Sequence, residues 1–125
     1  MIIDTDVLIW YMRGEEKAFE IIETQNSFFI SVVTYIELVQ GMRNKQELNE
    51  LRKSLRNWNA KILYINEEIS AKAMFYIERH YLSHSLQLAD ALICSTALVN
   101  GLPLLTGNTK HYNVIKELEL ISFQL

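Results

Sequence analysis

Short apolar runs alternate along this chain with longer segments in which apolar residues recur every three or four positions. Continuous apolar runs predict strands buried on both faces, whereas the three-to-four spacing predicts amphipathic helices. The predicted strands cover residues 2–3, 27–32, 61–65, 103–106 and 120–123. Strands that alternate with helices indicate parallel βαβ units. We therefore predict an α/β fold, a three-layer α/β/α sandwich around a mostly parallel five-stranded sheet.

The segments between the strands predict helices, and polar residues indicate where several of them begin. Asp6 is predicted to cap the first helix, because its carboxylate can accept from free backbone N–H groups, and Asn66 the fifth. Asn100 and Gly101 are typical of the residues that follow a helix. In the second helix, Ala18, Phe19 and Ile22 are expected to share one face. The predicted helices cover residues 7–12, 15–24, 34–42, 45–58, 67–82, 86–99 and 109–117.

Length and composition indicate a single domain, residues 1–125, with half of its residues hydrophobic. The net charge of −3 is not typical of a basic nucleic-acid-binding domain. Cys94 is the only cysteine, so neither a disulfide framework nor a zinc cluster is expected. The sequence predicts no signal peptide and no apolar run long enough to span a bilayer, and a cytoplasmic location is the expectation.

Two acids occupy positions that favour a functional role. Asp4 falls where the first strand should end, and ligands of open α/β sheets bind beyond the carboxyl ends of strands. Asp90 is the only acidic or basic residue between Leu86 and Val99 and lies too deep in the predicted helix to cap it. A carboxylate on so apolar a helix needs a partner or a metal ion. An ion pair or an exposed polar stripe remains the alternative for Asp90.

Glu37 and Asn108 have stronger structural alternatives. Glu37 lies among apolar residues of a predicted helix, where a capping box with Thr34 would explain it. Asn108 follows the fourth strand, where a turn or a helix cap is common. In a parallel sheet the first strand of the second half often lies beside strand one, which would bring Asp4, Asp90 and Asn108 to one point.

A cluster of carboxylate and amide oxygens favours a hard cation such as Mg²⁺ or Mn²⁺ over zinc. Such a cation activates water and stabilises the charge that builds on a phosphate during displacement. Without a cation, clustered carboxylates repel one another. The residues themselves therefore favour metal-dependent chemistry on a phosphate.

The stretches IIDTDVLI, ISVVTYIELVQG, LQLADALICSTALVNGLPLLTGN and TKHY resemble, in order and spacing, those of PIN-domain ribonucleases of the VapC toxin type. The resemblance covers essentially the whole chain. It implies an acidic catalytic site of Asp4, Glu37 and Asp90, with Asn108 in a fourth place that is often Asp. That asparagine offers a neutral oxygen but adds no charge.

The resemblance further implies a Mg²⁺- or Mn²⁺-dependent endoribonuclease that acts on structured RNA and is inhibited by a VapB-type antitoxin. Asp4 and Asp90 are expected to hold the metal, and Thr5, Asp6 and Thr106 to support it or contact substrate. A homodimer through the early helices is also expected.

Two other functions remain open. Asp4-x-Asp6 after a strand also resembles the opening motif of haloacid-dehalogenase-type phosphatases, with Asp4 as nucleophile and Asp6 as acid. The later strand ends lack the paired acidic motif that such a phosphatase needs. A degenerate PIN module that binds RNA or protein without cleavage is the second alternative, because Asn108 replaces an acid.

Several other polar residues are assigned to the surface or to helix termini. His80 and His84 lie four residues apart but are predicted to be surface residues. The basic residues between Arg43 and Lys61 are predicted to form a solvated helix face. His111 and Tyr112 are assigned to the start of the last helix rather than to the site.

Overall fold

A parallel sheet forms the centre of the structure, a computed structural model that describes residues 1–125. Its strands run in the order β3-β2-β1-β4-β5, and every neighbouring pair is parallel. The predicted α/β fold is confirmed, including the position of β4 beside β1, although the sheet is parallel throughout rather than mostly. The strands are β1 (Ile2–Ile3), β2 (Phe28–Ser31), β3 (Ala60–Leu63), β4 (Leu104–Thr106) and β5 (Leu120–Ser122).

Seven helices cover the sheet, and most lie within two residues of their predicted bounds. The exception is the last helix, which ends at Tyr112 rather than at residue 117. There the chain turns so that Ile115 and Leu118 are buried before β5. The helices are α1 (Thr5–Met12), α2 (Glu16–Glu23), α3 (Val32–Gln40), α4 (Lys45–Asn57), α5 (Glu67–His80), α6 (Leu88–Val99) and α7 (Thr109–Tyr112).

Two helices begin earlier than predicted because another residue caps them. Asp4, not Asp6, is the N-cap of α1, and its Oδ1 accepts from the N–H of Thr5 at 2.8 Å. Ser31 is the N-cap of α3, where its hydroxyl accepts from the N–H of Val33 at 3.0 Å. The predicted cap of α5 is confirmed, since Asn66 Oδ1 accepts from the N–H of Ile69 at 2.9 Å.

The sheet separates two buried cores. Ile2 and Ile3 are both fully buried but belong to different cores, because successive side chains of a strand point to opposite faces. Leu51, Leu55 and Trp58 of α4 and its C-cap pack in the core that contains Ile3. Burying the core on both faces fixes the register of β1, and with it the position of Asp4.

Phe19 departs from the prediction for the second helix. Ala18 and Ile22 are buried, but Phe19 is 52% exposed and stacks on Tyr11, with 5.8 Å between the ring centroids.

Cys94 is fully buried in the core, as a small apolar residue would be. None of the helices combines the length and apolarity that crossing a bilayer requires.

Candidate active site

Asp4 lies directly after the central strand β1 and is only 5% exposed. Besides the N–H of Thr5, its carboxylate accepts the hydroxyls of Thr106 at 2.8 Å and Tyr112 at 3.0 Å, both on Oδ2. Burial, and then the charge of Asp6, raises the pKa of Asp4 to about 6 from an ordinary value of 3.8. The fold thus holds this carboxylate in place but disfavours its charge, which a bound cation would offset.

Tyr112 connects Asp4 to Asp90. Its side chain is fully buried, and its hydroxyl lies 3.0 Å from Asp4 Oδ2 and 3.4 Å from Asp90 Oδ1. Burial, and then the charges of Asp4 and Asp90, raises the pKa of Tyr112 above its ordinary range, so the hydroxyl stays protonated. The two acids most strongly implicated by the sequence therefore share one hydrogen-bond partner.

Asp90 also caps its own helix, and the prediction that it lies too deep to do so is wrong. Because α6 begins at Leu88, Asp90 is the third helical residue, and its Oδ2 accepts from the N–H of Gln87 at 3.0 Å. His111 Nδ1 lies 3.6 Å from the same oxygen. The capping interaction uses Oδ2, while Oδ1 faces Tyr112.

Glu37 joins the site through Thr5. The Thr5 hydroxyl donates to Glu37 Oε1 at 2.7 Å and lies 2.9 Å from the hydroxyl of Thr34. A hydroxyl carries one proton, so Thr5 accepts from Thr34 when it donates to Glu37. The capping-box alternative for Glu37 is wrong, because Ser31 caps α3 and Glu37 lies in its interior.

Asp6 holds the loop that follows β4. Its Oδ2 accepts from the N–H of Gly107 at 2.9 Å, and its Oδ1 is buried without a hydrogen-bond partner. Burial raises the pKa of Asp6. A Cβ atom at Gly107 would lie 2.7 Å from Asp6 Oδ2, so this close approach requires glycine.

Asn108 occupies the same end of the sheet, but its side chain is not joined to the acids. It is exposed and does not cap α7 through its side chain. Its backbone N–H donates to Thr106 Oγ1 at 3.0 Å, which connects the loop to the hydroxyl that binds Asp4. Thr106 thus contacts Asp4 directly, whereas Asn108 is connected to the acids only through its backbone N–H.

The acids fit a cation that keeps much of its water. No three His, Cys, Asp or Glu side chains form a closed metal cage. Mg²⁺ is commonly bound by one or two carboxylates and retains several waters. Asp4 and Asp90 offer that oxygen donor set at the carboxyl end of β1, and burial of Asp4 gives a cation an electrostatic reason to bind there.

Tyr112 is the site residue that the sequence prediction missed. It lies one helical turn after Asn108, a spacing that returns a side chain to the same side of a helix. That spacing was the available signal, but α7 has only four residues and its bounds were predicted too long. His80 and His84 are not part of the site: their rings pack edge to face on each other, with 5.3 Å between the centroids, at the end of α5.

Comparison with known proteins agrees with this geometry. The family profile described as PIN domain matches residues 1–117. The chain is 33% identical over 125 residues to Ribonuclease VapC10 of Mycobacterium tuberculosis, covering 95% of this chain and 90% of that protein. It is 29% identical over 124 residues to Ribonuclease VapC1 of Methanocaldococcus jannaschii, covering 96% of this chain and 84% of that protein.

Solved structures show the same fold. A toxin–antitoxin complex from Klebsiella pneumoniae has a chain with a TM-score of 0.82 and 24% identity, covering 99% of this chain and 98% of that one. VapBC2 from Rickettsia felis, bound to a promoter DNA fragment, has a chain with a TM-score of 0.83 and 18% identity, covering 98% of both chains. Together with the profile match and the curated relatives, these findings show that the chain belongs to the PIN-domain family and is of the VapC type.

Proposed function

We propose that this protein is a Mg²⁺- or Mn²⁺-dependent endoribonuclease that cuts structured RNA, as the toxin of a VapBC-type pair. The observation that carries the proposal is the pair Asp4 and Asp90, joined through one buried tyrosine hydroxyl at the end of the central strand. The relatives named as VapC ribonucleases support the reaction. The buried Asp4 carboxylate and the partly exposed Asp90 carboxylate at this edge suit a cation that neutralises them and attracts a phosphate.

In the proposed mechanism, Asp4 and Asp90 would hold the cation, which when bound would supply water activation and stabilisation of the charge on the phosphate. Thr106 and the N–H of Thr5 hold the Asp4 carboxylate in place. Glu37 Oε1 is held by Thr5, which leaves Oε2 as the atom that takes the proton of the attacking water. Asn108, exposed at the same edge, contacts the RNA.

Water as nucleophile determines the products, which should carry a 5′-phosphate and a 3′-hydroxyl. The test is to incubate transfer RNA and ribosomal RNA fragments with the protein in Mn²⁺ or in EDTA and to analyse the ends. Asp4→Asn is the control, because it keeps the shape of the side chain and removes the charge. Cleavage that persists in EDTA, or 2′,3′-cyclic ends, would contradict the mechanism.

The two alternatives make different predictions in the same assay. A degenerate module would bind RNA without cutting it, although Asp4, Glu37 and Asp90 are all retained. A phosphatase would use Asp4 as nucleophile and Asp6 as acid, but the later strand ends lack the paired acidic motif that such an enzyme needs. Turnover of a small phosphoester without RNA cleavage would favour the phosphatase.

A groove beside the site suits the proposed VapB-type antitoxin. It encloses about 830 Å³ between α1, α3 and α4 and has Glu37 among its lining residues. Its apolar residues fit the apolar face of a helix. A chain segment that continues past Glu37 reaches the acidic site, where an arginine would pair with the carboxylates in place of the metal. The apolar residues are Ile9, Met12, Leu38, Met42 and Leu51.

Met12 provides a test of this groove, because it lines the groove and is 42% exposed. Met12→Asp should weaken binding of the proposed VapB-type antitoxin at least about tenfold, since a charge replaces apolar contact. Ile121→Asp is the matched control, because Ile121 is 39% exposed on β5, outside the groove and outside the surface proposed below for the homodimer. Equal affinity of the two variants, measured by calorimetry, would contradict the proposal.

We also propose a homodimer, and exposed apolar residues indicate a surface for it. They are more numerous on α5 and the loop after it, with Met74, Phe75, Tyr81 and Leu82, than on α1 to α3, with Met12, Phe19 and Ile36. Phe75 and Phe19 are each 52% exposed, on α5 and α2 respectively. If α5 forms the interface, Phe75→Glu gives a monomer in sedimentation and Phe19→Glu does not. The reverse result would return the interface to the early helices.

A further inference from the structure

Tyr112 is fully buried, yet its hydroxyl lies between the two acids of the site. We propose that Tyr112 is a positioning residue whose hydroxyl fixes Asp4 and Asp90 relative to each other and thereby sets the affinity of the site for a divalent cation. This inference rests on the proposed function. The side chain is too deeply buried to touch RNA, so its effect must pass through the two carboxylates.

The hydroxyl has one proton and two acceptors. It donates to Asp4 Oδ2 at 3.0 Å, the shorter contact, and stays within 3.4 Å of Asp90 Oδ1. A single donor between two carboxylates offsets part of their mutual repulsion and limits how far they separate. A cation then meets two oxygens whose spacing is already set, so less ordering is needed when it binds.

The surroundings of Tyr112 make its hydroxyl a rigid support. The ring belongs to the buried core on the α6 side of the sheet, where neighbouring side chains restrict its rotamers. Its helix follows a loop held by the N–H of Asn108 on Thr106 and by Asp6 on Gly107. The position of the hydroxyl is therefore determined by the same loop that supports Asp4.

Tyr76 offers a matched control within the same core. It is 5% exposed, and its hydroxyl donates to Glu117 Oε2 at 3.0 Å. Tyr76→Phe and Tyr112→Phe thus each remove one hydroxyl that is bonded to a carboxylate, and each keeps the ring. Only Tyr112 contacts the acids of the site.

The experiment is calorimetric titration of the full chain with Mn²⁺. We expect Tyr112→Phe to bind Mn²⁺ roughly tenfold more weakly than wild type, as is typical when a hydrogen bond to a metal ligand is lost. Tyr76→Phe should bind like wild type. Equal affinity of Tyr112→Phe and wild type would overturn this inference alone, whereas a wild-type protein that binds no Mn²⁺ would overturn the proposed function too.

A second measurement tests the contact between Tyr112 and Asp4 in the absence of metal. In EDTA, the shifts in urea midpoint caused by Tyr112→Phe and Asp4→Asn should not add in the double variant, because the two side chains are in contact. Additive shifts would overturn the inference. This readout also shows whether each variant is folded.

Discussion

Asp4 is buried in the folded chain and exposed in the unfolded chain, so its ionisation is coupled to stability. The fold raises its pKa from 3.8 to about 6. The neutral carboxyl is therefore favoured in the folded state, and this contribution is complete below pH 3.8 and lost as the pH rises through about 6. At pH 8, before metal binds, the ionised group costs at most about 3 kcal/mol.

Asp4→Asn should therefore stabilise the metal-free protein at pH 8. We expect the free energy of unfolding to rise by about 1–3 kcal/mol, because the amide keeps the shape and removes the buried charge. At pH 4 the gain should nearly vanish. Urea unfolding in EDTA at both pH values measures it, with Glu20→Gln as an exposed control. A gain of equal size at both pH values would show that charge is not the cause.

Gly107 lies so close to the Asp6 carboxylate that an added Cβ atom would disturb the contact between them. In Gly107→Ala the new Cβ would lie 2.7 Å from Asp6 Oδ2, so the loop or the carboxylate must move. We expect a loss of about 1–3 kcal/mol in the free energy of unfolding. Adding Asp6→Ala removes the atom that clashes and should make the glycine replacement nearly neutral. If the loss is the same in both backgrounds, the contact is not its origin.

At the scale of elements, the first residue of a helix decides which side chains reach the site. Ser31 starts α3 early enough for Thr34 and Glu37, three residues apart, to share the face that meets Thr5. Asp4 serves at once as the last residue before a helix and as an acid of the site. The residue that caps α1 is thus also a residue of the proposed chemistry.

Deleting helix caps should distinguish a cap that contributes only to stability from one that also contributes to RNA cleavage. Ser31→Ala and Asn66→Ala each delete a capping side chain and should each cost about 1 kcal/mol of stability. Only Ser31 begins the helix that carries Glu37, so only Ser31→Ala should also reduce RNA cleavage. Urea unfolding and a cleavage assay measure the two effects. Equal cleavage by both variants would contradict this assignment.

The sequence predicted the elements well and their first residues less well. The spacing of apolar residues locates a helix, as it did for α4 and α6, but it does not show where the helix begins. For α1 it could not distinguish Asp4 from Asp6 as the N-cap, because both are good capping residues. Starting α6 at Leu88 rather than at residue 86 turned Asp90 from an interior acid into a cap. The spacing of Tyr112 from Asn108 was a local signal, but the contact itself could not be predicted, because its partner Asp4 is 108 positions away along the chain.

At the scale of the whole molecule, a cation that binds only the folded chain must stabilise it by mass action. We expect Mn²⁺ at a hundred times its Kd to raise the free energy of unfolding of wild type by about 2.7 kcal/mol. Asp90→Asn should show no such gain, because it removes one of the two charges. Thermal unfolding with and without Mn²⁺ measures the effect. An equal rise in both proteins would place the cation elsewhere.

The position of β1 in the middle of the sheet has a consequence for synthesis on the ribosome. β1 precedes the other four strands along residues 1–125, yet it pairs with β4, where Ile2 lies opposite Leu104 and Ile3 opposite Leu105. Contacts between such distant segments form late in folding, because the intervening chain must first be ordered. Asp4 leaves the ribosome 102 residues before Thr106 and 108 residues before Tyr112, the two residues whose hydroxyls hold it. A nascent chain with the proposed activity therefore cannot cut RNA until Tyr112 has been translated, and the proposed antitoxin, if made beforehand, would meet each molecule as it becomes active.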